Sequence, residues 1–145
     1  MTKLRNIDRS LPLQLLQAWK SATTLFRPML HSFDLTDQQW RIIRVLASQE
    51  DIETFKLSQL SMIPPPSLTR ILKNLEEINL IKRDVDRNDQ RKTLVNLTRL
   101  GRTKYEKVAP ESEKIYHLIE KKIGKQELDN LLDQLVELNR SLNND

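Results

Sequence analysis

Hydroxyl and cationic side chains recur at helical spacing in one short segment of the chain, residues 64–83. Arg70 and Lys73 stand three residues apart, so they share one face of a helix. Ser67 and Thr69 place hydroxyl groups just before them. Arginine and lysine bind phosphates, and hydroxyl and guanidinium groups also hydrogen-bond to base edges. The segment therefore has the chemistry of a nucleic-acid-binding helix.

The sequence "IPPPSLTR" places three of the chain's six prolines directly before this helix. Proline has a φ angle suited to the first turn of a helix and lacks the N–H that would be unpaired there. We predict a stiff turn that starts a helix at about Pro66 and fixes its angle, as a helix in a DNA groove requires. A rigid corner without a partner fits the prolines equally well. Because prolines remove backbone donors, phosphate binding at this end must rely on Ser67 and Thr69.

Few other residues could support catalysis or bind a metal. The chain has no cysteine, which excludes disulfides and thiolate ligands. Its two histidines, His31 and His117, are far apart in sequence, so a zinc site would need an unusual carboxylate-rich ligand set. No nucleophile stands beside a base, and no glycine-rich phosphate loop is present. We therefore expect a protein that is not an enzyme and has no cofactor or metal.

Length and composition favour one domain that remains in the cytoplasm. The 145 residues, 38% of them hydrophobic, are enough to form a core. A formal net charge of +4 permits a polyanionic partner without requiring one. No apolar run has the length of a membrane span, and residues 1–10 lack the apolar core of a signal peptide.

Apolar residues at helical spacing predict the first of the elements that position these groups. Two apolar stripes follow one helix from Leu11 to Phe33. One stripe should pack on the chain's own core and the other on a partner chain. Pro28 should kink this helix or end it near Phe26 or Arg27.

A helix-turn-helix is predicted after this first helix. Thr36 as N-cap and Gln39 as its capping-box partner start a helix that extends from Asp37 to about Ser48. A short helix from about Lys56 to Met62 and the helix from about Pro66 to Ile78 then form the helix-turn-helix candidate. The residues predicted to face inward are Leu57 and Leu60 in the shorter helix and Leu68, Ile71, Leu72 and Leu75 in the longer one.

A charged hairpin follows the helix-turn-helix. Strands are predicted at residues 81–83 and 92–97, joined by a polar tip at residues 84–91. Such a hairpin is typical of a wing. Arg87 and Arg91 at its tip could enter a minor groove, where the electrostatic potential is most negative.

Several positions are expected to end or interrupt elements. Residues 50–53 are predicted as a loop, and Asn79 fits the left-handed position after a helix. Thr98 should cap a helix that Pro110 kinks or breaks, and Gly124 should mark a further break.

Leucines near the C-terminus form a seam with intervals of three and four residues. Two heptads are too short for a stable coiled coil, so the seam should belong to a larger interface. Its members are Leu128, Leu131, Leu135, Leu138 and Leu142.

Several segments together resemble the MarR family of winged-helix transcriptional regulators. "DQRKTLVNLT" has Asp89 and Arg91 followed by a Leu-Thr pair, and Gly101 follows in "RLGRTKY". "LTDQQWRIIRVL" and "SLTRILKNLEEINLIKR" are similar to the family's second helix and recognition helix. The resemblance implies a mainly α fold with a small β-hairpin wing. It implies a single MarR-like domain (residues 1–145), with a winged helix-turn-helix lobe (residues 36–97) and dimerisation helices (residues 8–34 and 98–145).

The resemblance also implies roles in DNA binding. Arg91 would be the wing arginine in the minor groove, and Asp89 would pair with it and fix its direction. Lys73 would contact a phosphate, while hydroxyl and guanidinium groups of the recognition helix would lie at the major groove. The implied DNA-binding set is Ser67, Thr69, Arg70, Lys73, Arg87, Asp89 and Arg91.

Within the family, the chain is similar to regulators of homoprotocatechuate degradation. This implies an effector such as 4-hydroxyphenylacetate, homoprotocatechuate or a hydroxycinnamate. An aromatic acid needs an apolar slot and a cation or hydroxyl for its carboxylate. Arginines on a polar helix face are usually solvated or ion-paired, and the aromatic residues could equally be core or interface residues. The candidates are Trp19, Phe26, Arg27, His31, Arg41 and Arg44.

The resemblance implies a homodimer on a pseudo-palindromic operator, with half-sites about 34 Å apart. An effector that favours a dimer with wrongly spaced lobes would lower the affinity for DNA. A regulator of other genes, such as those for hydroxycinnamate catabolism or stress response, an activator, and a protein-binding adaptor are the alternatives.

Overall fold

The computed structural model describes residues 1–144 and is mainly α-helical, which confirms the predicted fold class. The chain divides into two compact units between Ala109 and Pro110. In chain order, the elements are a 3₁₀ turn (Ile7–Arg9), α1 (Leu11–Ser32), α2 (Asp37–Ser48), β1 (Ile52–Glu53), α3 (Thr54–Ser61), α4 (Pro65–Glu77), β2 (Ile81–Val85), β3 (Thr93–Leu97), α5 (Arg99–Ile123) and α6 (Lys125–Asn143).

Helix α1 continues through Pro28 and ends at Ser32, so the prediction that it could end near Phe26 or Arg27 is wrong. A proline inside a helix costs about 3 kcal/mol, because one backbone hydrogen bond is lost. The turn after Pro28 offsets this cost by packing on the core. Leu30 is buried there, and Met29 is half-buried against the same cluster.

Helix α2 has the predicted start. The Thr36 hydroxyl accepts a hydrogen bond from the Gln39 N–H at 3.1 Å, and the Gln39 side-chain oxygen accepts one from the Thr36 N–H at 3.0 Å. This capping box is confirmed. The helix buries Trp40, Ile42, Ile43 and Leu46.

Helix α3 begins at Thr54, before the predicted start at Lys56. Leu57 is fully buried, but Leu60 is 42% exposed, so the inward orientation predicted for Leu60 is wrong. The helix instead directs Leu57 and Ser61, four residues apart, toward the core. The Ser61 hydroxyl donates to the Leu57 carbonyl oxygen at 2.6 Å, which removes the cost of burying it.

Helix α4 begins at Pro65 and buries all four of its predicted apolar residues. Asn79 follows the helix with a φ of 62°, as predicted for the left-handed position. Leu80, the next residue, donates its N–H to the Leu75 carbonyl oxygen at 3.0 Å and is itself buried. These contacts fix the direction in which the chain enters β2.

The hairpin of β2 and β3 is confirmed, with Ile81 opposite Leu97 and Val85 opposite Thr93. A third strand was not predicted: residues 52 and 53 form β1, which pairs with β3 in a sheet of order β1-β3-β2. The loop predicted at residues 50–53 is therefore wrong over its second half. A strand of two residues has no periodicity that a sequence could display.

Helix α5 begins after Thr98, whose hydroxyl accepts a hydrogen bond from the Gly101 N–H at 3.0 Å, so the predicted cap is confirmed. The helix is continuous through Pro110, so the break that was one of the two expectations there is wrong, while the kink stays a prediction. Glu106 and Pro110 are both exposed, so water can satisfy the carbonyl oxygen that proline leaves unpaired. Gly124, with a φ of 97°, separates α5 from α6 as predicted.

Candidate nucleic-acid interface and effector cleft

The outward face of α4 presents cations. Arg70 and Lys73 are exposed, on the side opposite the buried leucines, and they line a cleft of about 440 Å³ together with Asn74 and Glu77. No ion-pair partner is found for either cation within residues 1–144. Both are therefore free to bind a polyanion.

The start of α4 offers few donors. Pro65 and Pro66 lack an N–H, and the first helical bond is from the Leu68 N–H to the Pro64 carbonyl oxygen at 2.9 Å. The Thr69 hydroxyl donates to the Pro65 carbonyl oxygen at 3.0 Å and keeps only its acceptor lone pairs. The Ser67 hydroxyl, half-buried, is thus the better donor of the two predicted residues.

Arg91 and Asp89 meet at the wing tip, as predicted. The Asp89 carboxylate accepts from the Arg91 N–H at 3.0 Å, from Nε at 3.1 Å and from Nη2 at 3.3 Å. These bonds hold the pKa of Asp89 below its usual value of 3.8. The Arg91 side chain nevertheless remains 91% exposed. A fixed, accessible guanidinium is the form that a groove-binding arginine needs.

Two other cations of this region are paired with carboxylates. Arg83 donates to the two carboxylate oxygens of Glu76, at 3.0 and 3.3 Å, which joins β2 to α4 and lowers the pKa of Glu76. Lys92 pairs with Glu53 at 3.1 Å, and this hydrogen bond raises the pKa of Lys92. Neither pair was predicted, because each joins separate elements that only the fold brings together.

Arg87 is exposed but has different surroundings from Arg91. It lines a groove beside the wing whose other polar residues are mainly carboxylates, and these lower the local potential. The acidic residues of this groove are Asp51, Glu53, Asp84 and Asp86.

A cleft of about 330 Å³ lies between α1 and the start of α2 and brings most of the predicted effector residues together. Within the described chain, Phe26 and Arg44 do not line it: Phe26 is half-buried against the core, and Arg44 is exposed elsewhere on α2. The cleft is lined by Trp19, Arg27, His31, Thr36, Asp37, Gln38 and Arg41.

The two arginines of this cleft differ in their ion pairing. Arg27 Nη2 lies 3.4 Å from Asp37 Oδ2, so Arg27 is partly neutralised. Arg41 is half-buried, and no carboxylate partner is found for it within residues 1–144. The exposed Trp19 side chain also lines the cleft, which therefore combines a cation and an aromatic surface. It can accept a small aromatic carboxylate.

The start of α2 connects this cleft with α4. Gln39, the capping-box residue, donates from Nε2 to Asn74 Oδ1 at 3.3 Å. Thr36 and Gln38 line both the cleft beside α1 and the cleft beside α4. The cap was predicted, but its second contact was not, because that contact joins residues on separate helices.

The described part of the chain has no group of three or more His, Asp or Glu side chains placed to hold a metal ion. None of its helices combines the length and apolar character needed to span a membrane.

The family is established by comparison with known proteins. Residues 35–93 match the model of the MarR family. The chain is 40% identical over 129 residues to the HTH-type transcriptional regulator FarR of Neisseria gonorrhoeae, covering 89% of this chain and 88% of that protein. It is 37% identical over 139 residues to the homoprotocatechuate degradative operon repressor of Escherichia coli, covering 94% of each.

A solved structure agrees in fold. The crystal structure of NadR in complex with 4-hydroxyphenylacetate superposes with a TM-score of 0.81 at 37% identity, covering 94% of this chain and 97% of that one. The likeness in sequence and fold extends over most of the chain and is shared with transcriptional regulators. The chain therefore belongs to the MarR family and is a transcriptional regulator rather than an enzyme.

Proposed function

We propose that this regulator is a homodimeric repressor that binds a pseudo-palindromic operator and is released by a small aromatic carboxylic acid. The observation that supports DNA binding best is the exposed Arg91 guanidinium, fixed by Asp89. The unpaired cations of α4, Arg70 and Lys73, would supply the major-groove and phosphate contacts. Ser67 and Thr69 would add hydrogen bonds, and Arg87 would contribute less.

The cleft between α1 and α2 supports the effector class. Arg41 would bind the carboxylate, because charge-assisted hydrogen bonds to a guanidinium are strong. Trp19 would pack against the aromatic ring, and His31 would hydrogen-bond to a ring hydroxyl. NadR binds 4-hydroxyphenylacetate, and the similar repressor from Escherichia coli controls a homoprotocatechuate operon. We therefore propose that this regulator controls genes of aromatic-acid catabolism and that it is located in the cytoplasm.

Exposed apolar residues support dimerisation. In the first unit, Leu11 and Leu16 of α1 are exposed, and in the second unit Leu131 and Val136 of α6 are exposed. Patches of this kind mark interaction surfaces. We assign residues 8–34 and 98–145 to the dimer interface and residues 36–97 to the DNA-binding lobe, within a single MarR-like domain (residues 1–145).

Fluorescence anisotropy on the DNA upstream of the protein's own gene tests this function. At fixed salt, tight binding should be weakened by 4-hydroxyphenylacetate, homoprotocatechuate or a hydroxycinnamate. Tight binding that none of them weakens would assign the protein to other genes, such as stress-response genes, or to activation. The absence of any DNA binding would instead favour a protein-binding adaptor.

A further inference from the structure

Pro66 lies on the outward ridge of α4, in line with the cations. Successive residues of a helix are about 100° apart, so Pro66, Arg70 and Lys73, at intervals of four and three, form one stripe. The buried residues of α4 occupy the opposite side, and Pro66 is exposed. The helix therefore presents an apolar ring at its start, followed by a guanidinium and an ammonium group.

Pro66 is not needed to start the helix. α4 begins at Pro65, whose fixed φ already suits the first helical position. A second proline adds no start signal, and it removes a backbone N–H that could have bound a phosphate. The explanation as a rigid corner accounts for Pro65 but not for the residue after it.

The chemistry of this position allows only one kind of base contact. A proline side chain neither donates nor accepts hydrogen bonds, so it can make only apolar contacts. In a helix bound in the major groove, the N-terminal residues contact the base edges. The apolar group on those edges is the 5-methyl group of thymine.

Neighbouring side chains are consistent with an apolar contact at this end. Phe55 of α3 is 67% exposed and lines a cleft of about 250 Å³ with Pro65 and Thr69. Met62, the residue that follows α3, is 77% exposed. The exposed cations of α4, Arg70 and Lys73, provide the charge complementarity for DNA.

We propose, given DNA binding by α4, that Pro66 is a specificity residue that recognises one thymine in each half-site through its 5-methyl group. Arg70 is four residues further along the helix, a rise of about 6 Å or roughly two base-pair steps. The thymine therefore lies within about two base pairs of the position that Arg70 contacts, on the side toward the start of α4.

Deletion of single methyl groups tests this proposal. The preferred site is first selected from random double-stranded DNA with the full-length protein. Each thymine is then replaced by deoxyuridine, symmetrically in both half-sites, and the Kd is measured by anisotropy. One position in each half-site should weaken binding roughly tenfold when both methyl groups are removed.

Two matched variants test whether Pro66 is the residue that contacts the thymine at that position. Pro66→Ser removes the apolar ring, while Pro65→Ser makes the same change about 100° away around the helix. Pro66→Ser should reduce the effect of deoxyuridine to less than about twofold, and Pro65→Ser should preserve it. Circular dichroism verifies that both variants are folded.

The outcomes separate this inference from the proposed function. If tight binding tolerates deoxyuridine at every position, or if Pro66→Ser keeps the wild-type deoxyuridine profile, the role of Pro66 is overturned while DNA binding stands. If no DNA is selected at all, both proposals fail.

Discussion

Arg91 combines high exposure with a fixed orientation. A free arginine loses about 2 kcal/mol of rotamer entropy when it is immobilised. Two hydrogen bonds from the guanidinium to Asp89 already restrict this side chain, so less entropy remains to be lost on binding DNA. Asp89, like an ordinary aspartate, is negatively charged at neutral pH, and the same bonds lower its pKa further. A carboxylate near DNA is repulsive by charge alone, so the role that we propose for Asp89 is positional.

The variant Asp89→Asn tests whether Asp89 affects DNA binding through its charge or by positioning Arg91. Removal of a negative charge would strengthen DNA binding, whereas loss of the ion pair with Arg91 should weaken it. We expect the Kd to rise about threefold to tenfold, and Arg91→Ala to raise it by about tenfold or more. Anisotropy at one fixed salt concentration measures both changes.

Asp84→Asn provides the control for charge, because Asp84 is an exposed carboxylate of β2 in the same hairpin. Tighter binding by both aspartate variants would show that Asp89 acts only as a charge.

At the scale of elements, the contact between the start of α5 and the segment that leads into β2, here called the joint, requires that residue 101 has no side chain. A Cβ at Gly101 would lie 2.0 Å from the Leu80 carbonyl oxygen and 3.1 Å from Leu97 Cδ2. The same Leu80 carbonyl oxygen accepts a hydrogen bond from the Thr98 N–H at 3.1 Å. The start of α5 is thus packed directly on the backbone that leads into the wing.

Gly101→Ala should destabilise the protein by about 2 kcal/mol or more, because backbone cannot move aside as a flexible side chain can. Urea unfolding of the full chain measures this change in the free energy of unfolding. Lys107→Ala, at an exposed position of the same helix, should change it by less than about 0.5 kcal/mol. Equal stability of Gly101→Ala and the wild type would mean that the joint can open at little cost.

The sequence predicted those parts of the fold that depend on neighbours along the chain. The capping box of Thr36 and Gln39 spans three residues, and the buried face of α4 follows one helical period. β1 depends instead on pairing Ile52 with Val95, far along the chain. The Arg83–Glu76 pair likewise depends on how β2 packs beside α4, which no local pattern specifies.

The alternative that a helix ends at its internal proline was wrong for a related reason. Pro28 and Pro110 each remove one hydrogen bond, and a local rule predicts a kink or a break. Whether the helix continues depends on what the following turns pack against and on access of water to the unpaired carbonyl oxygen. The wing pairing of Asp89 with Arg91 was predicted, and its role on DNA stays a prediction.

At the scale of the whole molecule, the exposed leucines of α6 are too numerous for a solvated helix. Leu131 and Leu132 are 46% and 45% exposed, and Val136 is 68% exposed. Complete burial of a fully exposed side chain of this kind stabilises an interface by about 1.5–3 kcal/mol, and a half-exposed one contributes about half of that. A second copy of the chain is the partner that the proposed function assigns to this surface.

Leu131→Glu should shift the protein toward monomer and raise the dissociation constant of the dimer at least tenfold, because a carboxylate would be buried without a partner. Sedimentation velocity across a range of concentrations measures it. Asn130→Glu adds the same charge at the neighbouring exposed position and should leave the dimer intact. If both variants remain dimeric, the seam does not form the interface.

The cleft beside α1 shares its wall with the start of α2, and this limits how a sensor for a new compound can be engineered. Thr36 and Asp37 line the cleft, while Thr36 also caps α2 and Asp37 holds Arg27. In a library that randomises these two positions, many variants would be lost because the fold is disturbed rather than because they bind the compound poorly. Diversity is better placed at Trp19, His31 and Arg41, whose side chains line the cleft but do not cap the helix.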